Sequence, residues 1–397
     1  MLKVLHVQTT LSPRLGGPAT VLAQLAKAQA DAGLEVVVAT TNMSSPTKSG
    51  VYRKPGWDTL ANGEVRVFYG GAQIPQLMFS LSLGDYLRKS IPNFDIVHVH
   101  GIYRFPTTAA AYWSRRHGVP YIIRPHGSLD PFLYDKSSAS TLRLKRLYER
   151  WFDLPNLNAA SAIHYTADDE RERASFLNLR SPSFVIPNGL DWDRYQELPE
   201  RGEMRARWEI GDAPLVLFMG RLHFGKALDL LVPAFQAVRR AVPDAQLVIA
   251  GPDNDGFGQK VRGWVSERGL DSAVHFAGSL EGVDVVKAYV DADVLAQPSY
   301  TENFGMTIVE AMACALPVVI SDRVNIHQQI SDSRAGLVTR CVADEVADAL
   351  LTLLNDTDRR HRMGSAGHQL VKERYSWRRI VQALTREYEF VIENDRR

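Results

Sequence analysis

Cysteine is almost missing from this 397-residue chain, which holds only Cys314 and Cys341. Both stand in apolar or helical surroundings without metal-ligand spacing, so neither a disulfide framework nor a zinc site is indicated, and a reducing cytoplasm is the expected setting. Long hydrophobic runs are missing too: no apolar stretch approaches the ~20 residues that span a bilayer. The opening Met1-Leu2-Lys3-Val4-Leu5-His6-Val7 turns polar too soon for a secretory signal and reads as a first strand. A soluble or monotopic protein is expected, cytoplasmic and peripheral on the inner face of the plasma membrane. No helix-turn-helix, zinc-finger or interleaved aromatic motif is present, which argues against a nucleic-acid partner. Internal repeats and low-complexity tracts are absent, and the whole chain has little net charge, with 46 Lys and Arg against 45 Asp and Glu.

That balance conceals a division. Residues 1–190 hold 21 Lys and Arg against 14 Asp and Glu, net +7, whereas residues 191–397 are net −6. A basic half suits an anionic surface, for which anionic lipid is the better match. The length exceeds one usual core and points to two domains of about 190 residues each. Short Val/Ile/Leu-rich runs alternate with helical patterns, the mark of parallel sheets with crossover helices. The expected strands are 4–8, 36–40, 65–69, 96–100, 121–124, 163–166 and 184–186, then 215–219, 246–250, 274–277, 294–297 and 318–321. Two doubly wound α/β domains follow, residues 1–190 and 191–376. The Pro-, Gly- and charge-rich segment Asn188–Pro214 reads as the linker between them. A last helix over Trp377–Asn394 carries Ile380, Val381, Leu384, Tyr388, Val391 and Ile392 on one face.

Residues 299 to 310 read Ser-Tyr-Thr-Glu-Asn-Phe-Gly-Met-Thr-Ile-Val-Glu. Pro298 ends the strand before them, and Met306–Ala315 reads as a helix, so Glu302 sits in the loop and Glu310 about a turn into the helix. Between them Asn303, Phe304 and Gly305 offer backbone N–H groups at a helix N-terminus, where unpaired donors and the dipole favour an anion. Carboxylates accept paired sugar hydroxyls, and amides suit phosphate. Two acids, a spacing of seven residues, the following Ala311-Met312-Ala313 and the strand Pro317–Ser321 resemble the signature of family-4 retaining glycosyltransferases of the GT-B fold. The resemblance extends over nearly the whole chain. It implies two Rossmann-like domains facing across a cleft, with residues 377–397 crossing back to the first.

Further residues match this family. Gly220-Arg221-Leu222-His223-Phe224-Gly225-Lys226 follows an apolar strand at its C-terminal end, where an α/β sheet collects phosphate. The resemblance gives Arg221 and Lys226 the donor diphosphate. Ser12-Pro13-Arg14-Leu15-Gly16-Gly17-Pro18 joins the first strand to a helix over Ala19–Ala32; it lacks the order G-x-G-x-x-G, which disfavours a dinucleotide fingerprint. Its two glycines permit positive φ and close approach to a ligand, and Gly16 and Gly17 match a glycine pair set against donor phosphate or acceptor. His126 resembles the histidine that family-4 enzymes keep beside the donor sugar and the reacting carbon, and the run His126-Gly127-Ser128-Leu129-Asp130-Pro131 resembles that of bacterial polysaccharide-assembly members. His98 and His100 share a strand face and would allow a metal, but no third ligand stands out; His100 is expected near the acceptor pocket and His98 in the core. Asp291-Ala292-Asp293 has a metal-binding spelling at the wrong strand end, and His327 is solitary. The stretch Leu142–Phe152 is a basic helix with Leu144, Leu147, Tyr148, Trp151 and Phe152 at helical spacing, either a lipid-facing surface or ordinary packing.

The resemblance implies a retaining transfer of sugar from a UDP- or GDP-linked donor to a hydroxyl of a glycan or lipid-linked saccharide, in bacterial surface polysaccharide synthesis. It also implies independence of metal or other cofactor, with Glu310 on the nucleotide ribose and Glu302 with amides 303–305 on the sugar. A nucleotide-sugar 2-epimerase of the same fold and a non-catalytic nucleotide-sugar-binding scaffold are the alternatives.

Overall fold

The computed structural model describes residues 1–12, 17–44, 51–60, 63–135 and 139–395. Their strands form two sheets. The first comprises β1 (Lys3–Gln8), β2 (Glu35–Thr41), β3 (Gly56–Leu60), β4 (Val65–Gly70), β5 (Ile96–His100), β6 (Tyr121–Arg124), β7 (Ala162–Tyr165) and β8 (Ser183–Val185), in the order β3-β4-β2-β1-β5-β6-β7-β8. Every pairing is parallel except β3 with β4 at the edge. The second sheet is all parallel: β9 (Leu215–Met219), β10 (Gln246–Ala250), β11 (Val274–Gly278), β12 (Val294–Gln297), β13 (Val318–Ser321) and β14 (Gly336–Thr339), in the order β11-β10-β9-β12-β13-β14. Parallel sheets need crossover helices that cover both faces, and the central strands β5, β6, β9 and β12 are accordingly buried along their whole length.

The chain divides into two compact units, Met1–Gly189 with Trp377–Arg397, and Leu190–Ser376. The first returns to itself through the last helix. Ile380, Val381, Leu384, Tyr388, Val391 and Ile392 are all buried on one face of Trp377–Asp395, the stripe that their spacing predicts. Trp377 Nε1 donates to Gln24 Oε1 at 3.3 Å, and a Cβ on Gly189 would meet the Trp377 ring at 2.3 Å, so only glycine fits there.

Three sequence expectations change. The stretch from Asn188 to Pro214 is not an open linker: Leu190, Tyr195, Met204 and Arg205 are buried, and Glu203–Arg207 is a helix. Its apolar residues are spaced for two short turns, too brief to show a period. Strands β3 and β14 add to the expected set. The first is an exposed edge containing Gly and Asp, and the second begins at Gly336, whose Cβ position is filled by Val318 O at 2.3 Å. At the first loop, Gly17 opens the helix Gly17–Asp31 and is not among the positive-φ residues, so it is not a conformational necessity. Gly16 lies outside the described residues.

Candidate active site

In the second sheet the strand order reverses between β9 and β12, so the loops after these two strands leave in opposite lateral directions and open a crevice at their carboxyl ends. Arg221 and Lys226 come from the first loop and Glu302 from the second. The crevice is shaped by close backbone contact: Gly220 N donates to Ala250 O at 2.9 Å, and a Cβ on Gly251 would lie 1.9 Å from Gly220 O. His223 Nδ1 accepts from Gly225 N at 3.1 Å and caps the turn Phe224–Lys226. Burial, then the Arg221 and Lys226 charges against a partial offset from Asp255, hold the His223 imidazole below its usual pKa.

Lys226 Nζ pairs with Glu302 Oε2. The same oxygen accepts from Gln297 Nε2 at 3.2 Å, and Gln297 Oε1 accepts from Thr307 Oγ1 at 2.8 Å. Loop, strand end and helix are thereby tied in one polar string. Glu302 is further held by its backbone, with Asn325 N donating to Glu302 O at 3.0 Å. Gly305, at φ 76°, turns the chain into the helix Met306–Ala313 in a conformation that other residues adopt at a cost. The amides of Asn303, Phe304, Gly305, Met306 and Thr307 have no acceptor among the described residues. Unpaired donors at a helix start favour a negative ligand. The Phe304 side chain points the other way, buried edge-on against Tyr375.

Glu310 faces different neighbours. It accepts from Tyr289 Oη at 3.1 Å, and burial raises its pKa to about 7 against a partial offset from Tyr289 and Arg194. A half-buried carboxyl with one donor among the described residues has oxygen capacity left for a ligand's hydroxyls. Glu302 and Glu310 thus have different partners: one is salt-bridged to Lys226, the other bonded to Tyr289.

Residues 15–194 match the family described as Glycosyltransferase Family 4, and residues 200–370 match Glycosyl transferases group 1. The chain belongs to the family-4 glycosyltransferases of the GT-B fold. A GDP-mannose-dependent alpha-(1-6)-phosphatidylinositol monomannoside mannosyltransferase of Mycobacterium tuberculosis is 32% identical over 50% of this chain and 54% of its own, so the chain spans about half the length of that relative. A GDP-mannose:cellobiosyl-diphosphopolyprenol alpha-mannosyltransferase of Xanthomonas oryzae is 26% identical over 98% of this chain and 96% of its own. Among solved structures, sucrose-phosphate synthase of Thermosynechococcus elongatus has a TM-score of 0.77 at 20% identity, covering 99% of this chain and 100% of that one, a likeness of fold.

In the first unit of the chain, His126 follows β6 with a left-handed φ of 55°, and Gly127 follows at 75°. Such backbone persists in a non-glycine residue where its surroundings over-determine it. Glu170 does so here: buried, it accepts from Gly127 N at 2.6 Å and from Thr166 N and Oγ1, both at 2.7 Å. Sequence reading missed Glu170, which stands in an acidic run that reads as a helix start. It also missed Gln297, whose signal was a polar residue closing an apolar strand. His100 does not line a pocket; it is 1% exposed and hydrogen-bonded at both ring nitrogens. Asp291 and Asp293 are structural: the first accepts from the amides of Gly202, Met204 and Arg205, and the second from Leu215 N and the Arg201 and Arg205 guanidiniums.

The helix Ala139–Tyr148 and its continuation Glu149–Asp153 leave Leu144 at 72%, Leu147 at 56%, Trp151 at 66% and Phe152 at 47% exposure. Tyr148 turns inward, bonded to Thr108 Oγ1 at 2.8 Å. The apolar stripe is therefore not spent on packing, and the exposed Arg143, Arg146 and Arg150 stand among it. No helix of the described residues is long and apolar enough to cross a membrane.

Proposed function

We propose that this protein is a retaining glycosyltransferase that moves a sugar, mannose first among candidates, from a nucleoside diphosphate donor to a hydroxyl of a lipid-linked saccharide. The observation that carries it is the switch-point constellation of Arg221, Lys226, Glu302 and the unpaired amides of residues 303–307. Negative charge gathers on the diphosphate as its bond to the sugar breaks, and preorganised cations and amides aimed at that charge lower the barrier. The acceptor oxygen bonds to the anomeric carbon on the face that the diphosphate leaves. The acceptor proton passes to a leaving-group oxygen, so no protein nucleophile is required. Glu302, released in part from Lys226 when phosphate binds, takes sugar hydroxyls, and Glu310 takes the ribose hydroxyls.

GDP-mannose in the names of both relatives supports a mannosyl donor. The acceptor reading draws on the net charge of +7 in residues 1–190 and on the exposed Leu144, Leu147 and Trp151 among arginines, which suit an anionic leaflet carrying the acceptor. The test is a mass-spectrometric screen of GDP-mannose, UDP-glucose and related donors for binding and slow hydrolysis. Release of nucleoside diphosphate and free sugar from one donor is expected; release of a 2-epimer, or binding with no hydrolysis and no transfer to any polyprenol-linked saccharide, overturns the proposal.

A further inference from the structure

Five histidines stand ring to ring in the first unit: His6 on β1, His98 and His100 on β5, His164 on β7, and His126 just beyond β6. His6 and His98 lie directly opposite in the parallel register. Four of the five are buried to 1% exposure or less, where every unpaired nitrogen would carry a desolvation cost. Each nitrogen of those four is paired.

The pairing admits one assignment of protons when every ring is neutral. A backbone carbonyl only accepts, so His164 Nε2, 2.7 Å from Ile186 O, carries a proton and its Nδ1 does not. His98 Nε2 therefore donates to His164 Nδ1 at 3.3 Å, and His98 Nδ1 accepts from the Tyr388 hydroxyl at 2.7 Å. The phenol has a single proton, so its oxygen must accept from the Gln29 amide, Nε2 to Oη at 3.1 Å. That orients Gln29 with Oε1 toward His6 Nε2 at 2.6 Å, which donates. His6 Nδ1 then accepts from His100 Nε2 at 2.9 Å, and His100 Nδ1 accepts from His126 Nε2 at 3.1 Å. The series ends at His126 Nδ1, which has no partner among the described residues. Burial and the nearby Arg124 guanidinium, itself buried, hold these imidazoles well below their usual pKa and so neutral.

We infer that this relay is a positioning device: the Ile186 carbonyl, acting through the intervening side chains, fixes His126 as the Nε2–H tautomer, so that its Nδ1 lone pair accepts a hydrogen bond from a hydroxyl of the sugar ligand. The sugar as ligand rests on the function proposed above; the tautomer rests on the hydrogen bonds of the neutral, buried rings and not on that function. The last helix takes part through Tyr388, which joins the β5–β7 branch to the β1–β5 branch. Nitrogens of His6, His98 and His100 also lie within 4.8 Å of one another, close enough for a shared metal. A metal would have to displace hydrogen bonds that already occupy both nitrogens of each ring, and the relay accounts for the same closeness.

The test is a long-range proton–nitrogen correlation spectrum of the full chain labelled with 15N-histidine, with resonances assigned by single His→Gln variants. All five rings are expected as one neutral tautomer, with pyrrole-type Nε2 and pyridine-type Nδ1. Tyr388→Phe removes the hydroxyl that links the branches. His164 should keep its signature while Gln29 is freed to turn, and His6, His100 and His126 pass to mixed tautomers. Donor hydrolysis should then fall roughly fivefold in kcat with KM unchanged. His126 protonated at Nδ1 or mixed in the wild type overturns the relay, as does an unaltered His126 signature in a folded Tyr388→Phe protein. If that variant does not fold, the wild-type spectrum still decides. Joint shifts of His6, His98 and His100 on adding Zn2+ would replace the relay by a metal site. Absence of hydrolysis of any donor, with the predicted tautomers present, refutes the glycosyltransfer reading and leaves the relay standing.

Discussion

At Arg221 and Lys226 two cations act by different means. Arg221 is exposed on its loop, whereas Lys226 is tied to Glu302 and through it to Gln297 and Thr307. Each contact to a diphosphate is charge-assisted and worth roughly 1.5–3 kcal/mol, so Arg221→Ala or Lys226→Ala should lower turnover about tenfold or more while the melting temperature stays near the wild type; wild-type turnover in both removes the proposed site. Glu310 gives a prediction in pH. Burial raises its carboxyl from 4.5 to about 7, so the folded state keeps a proton that the unfolded chain has lost. The stability it contributes is present below 4.5 and is lost as the pH rises through about 7. Denaturant titrations should show this decline in the wild type and lack its share in Glu310→Gln. A ribose contact needs the ionised carboxylate as acceptor, so nucleotide affinity should rise with pH through the same range and become weak and flat in Glu310→Gln. Equal nucleotide affinity of the two proteins at pH 8 would refute the ribose contact.

The basic helix is the element whose role its surroundings decide. A stripe of Leu144, Leu147 and Trp151 spaced along a helix reads equally as packing or as a lipid face, and its exposure shows that the described residues leave it uncovered. Binding to vesicles containing anionic lipid should be lost in Arg143→Glu/Arg146→Glu/Arg150→Glu and weakened by salt, each cation near the surface contributing about 1 kcal/mol. Equal sedimentation with neutral and anionic vesicles would assign the helix to another partner. Other elements were legible for a plain reason. Strand β9, Leu-Val-Leu-Phe-Met, is buried on both faces and therefore continuously apolar, and the glycine-bearing loop after it marks where the crevice of the second unit lies. Edge strand β3 carried no such signal, since its outward residues answer to water. The candidate site was legible at Arg221, Lys226, Glu302 and Glu310 because the cations follow the carboxyl end of an apolar strand and the acids flank and follow a helix start, the places where an α/β sheet gathers phosphate. Glu170, Gln297 and the relay were not, because their meaning lies in partners far away in sequence, such as Gln29 with Tyr388.

For the molecule as a whole, the carboxylates that spell a metal motif are committed to backbone and arginine at the foot of the second sheet. Turnover should therefore persist in excess chelator, and complete loss restored by magnesium or manganese would contradict a purely cationic clamp. The return of the last helix to the first unit has a consequence in time. A ribosome finishes the whole second unit, Leu190–Ser376, before it makes Trp377, so the first sheet waits without the side chains that close it. At ordinary elongation rates of about 5–20 residues per second the wait is roughly ten to forty seconds. Through that interval the seat of Tyr388, bonded by Gln29 of the helix Gly17–Asp31, stands open, and the first unit, begun before the second, is completed after it.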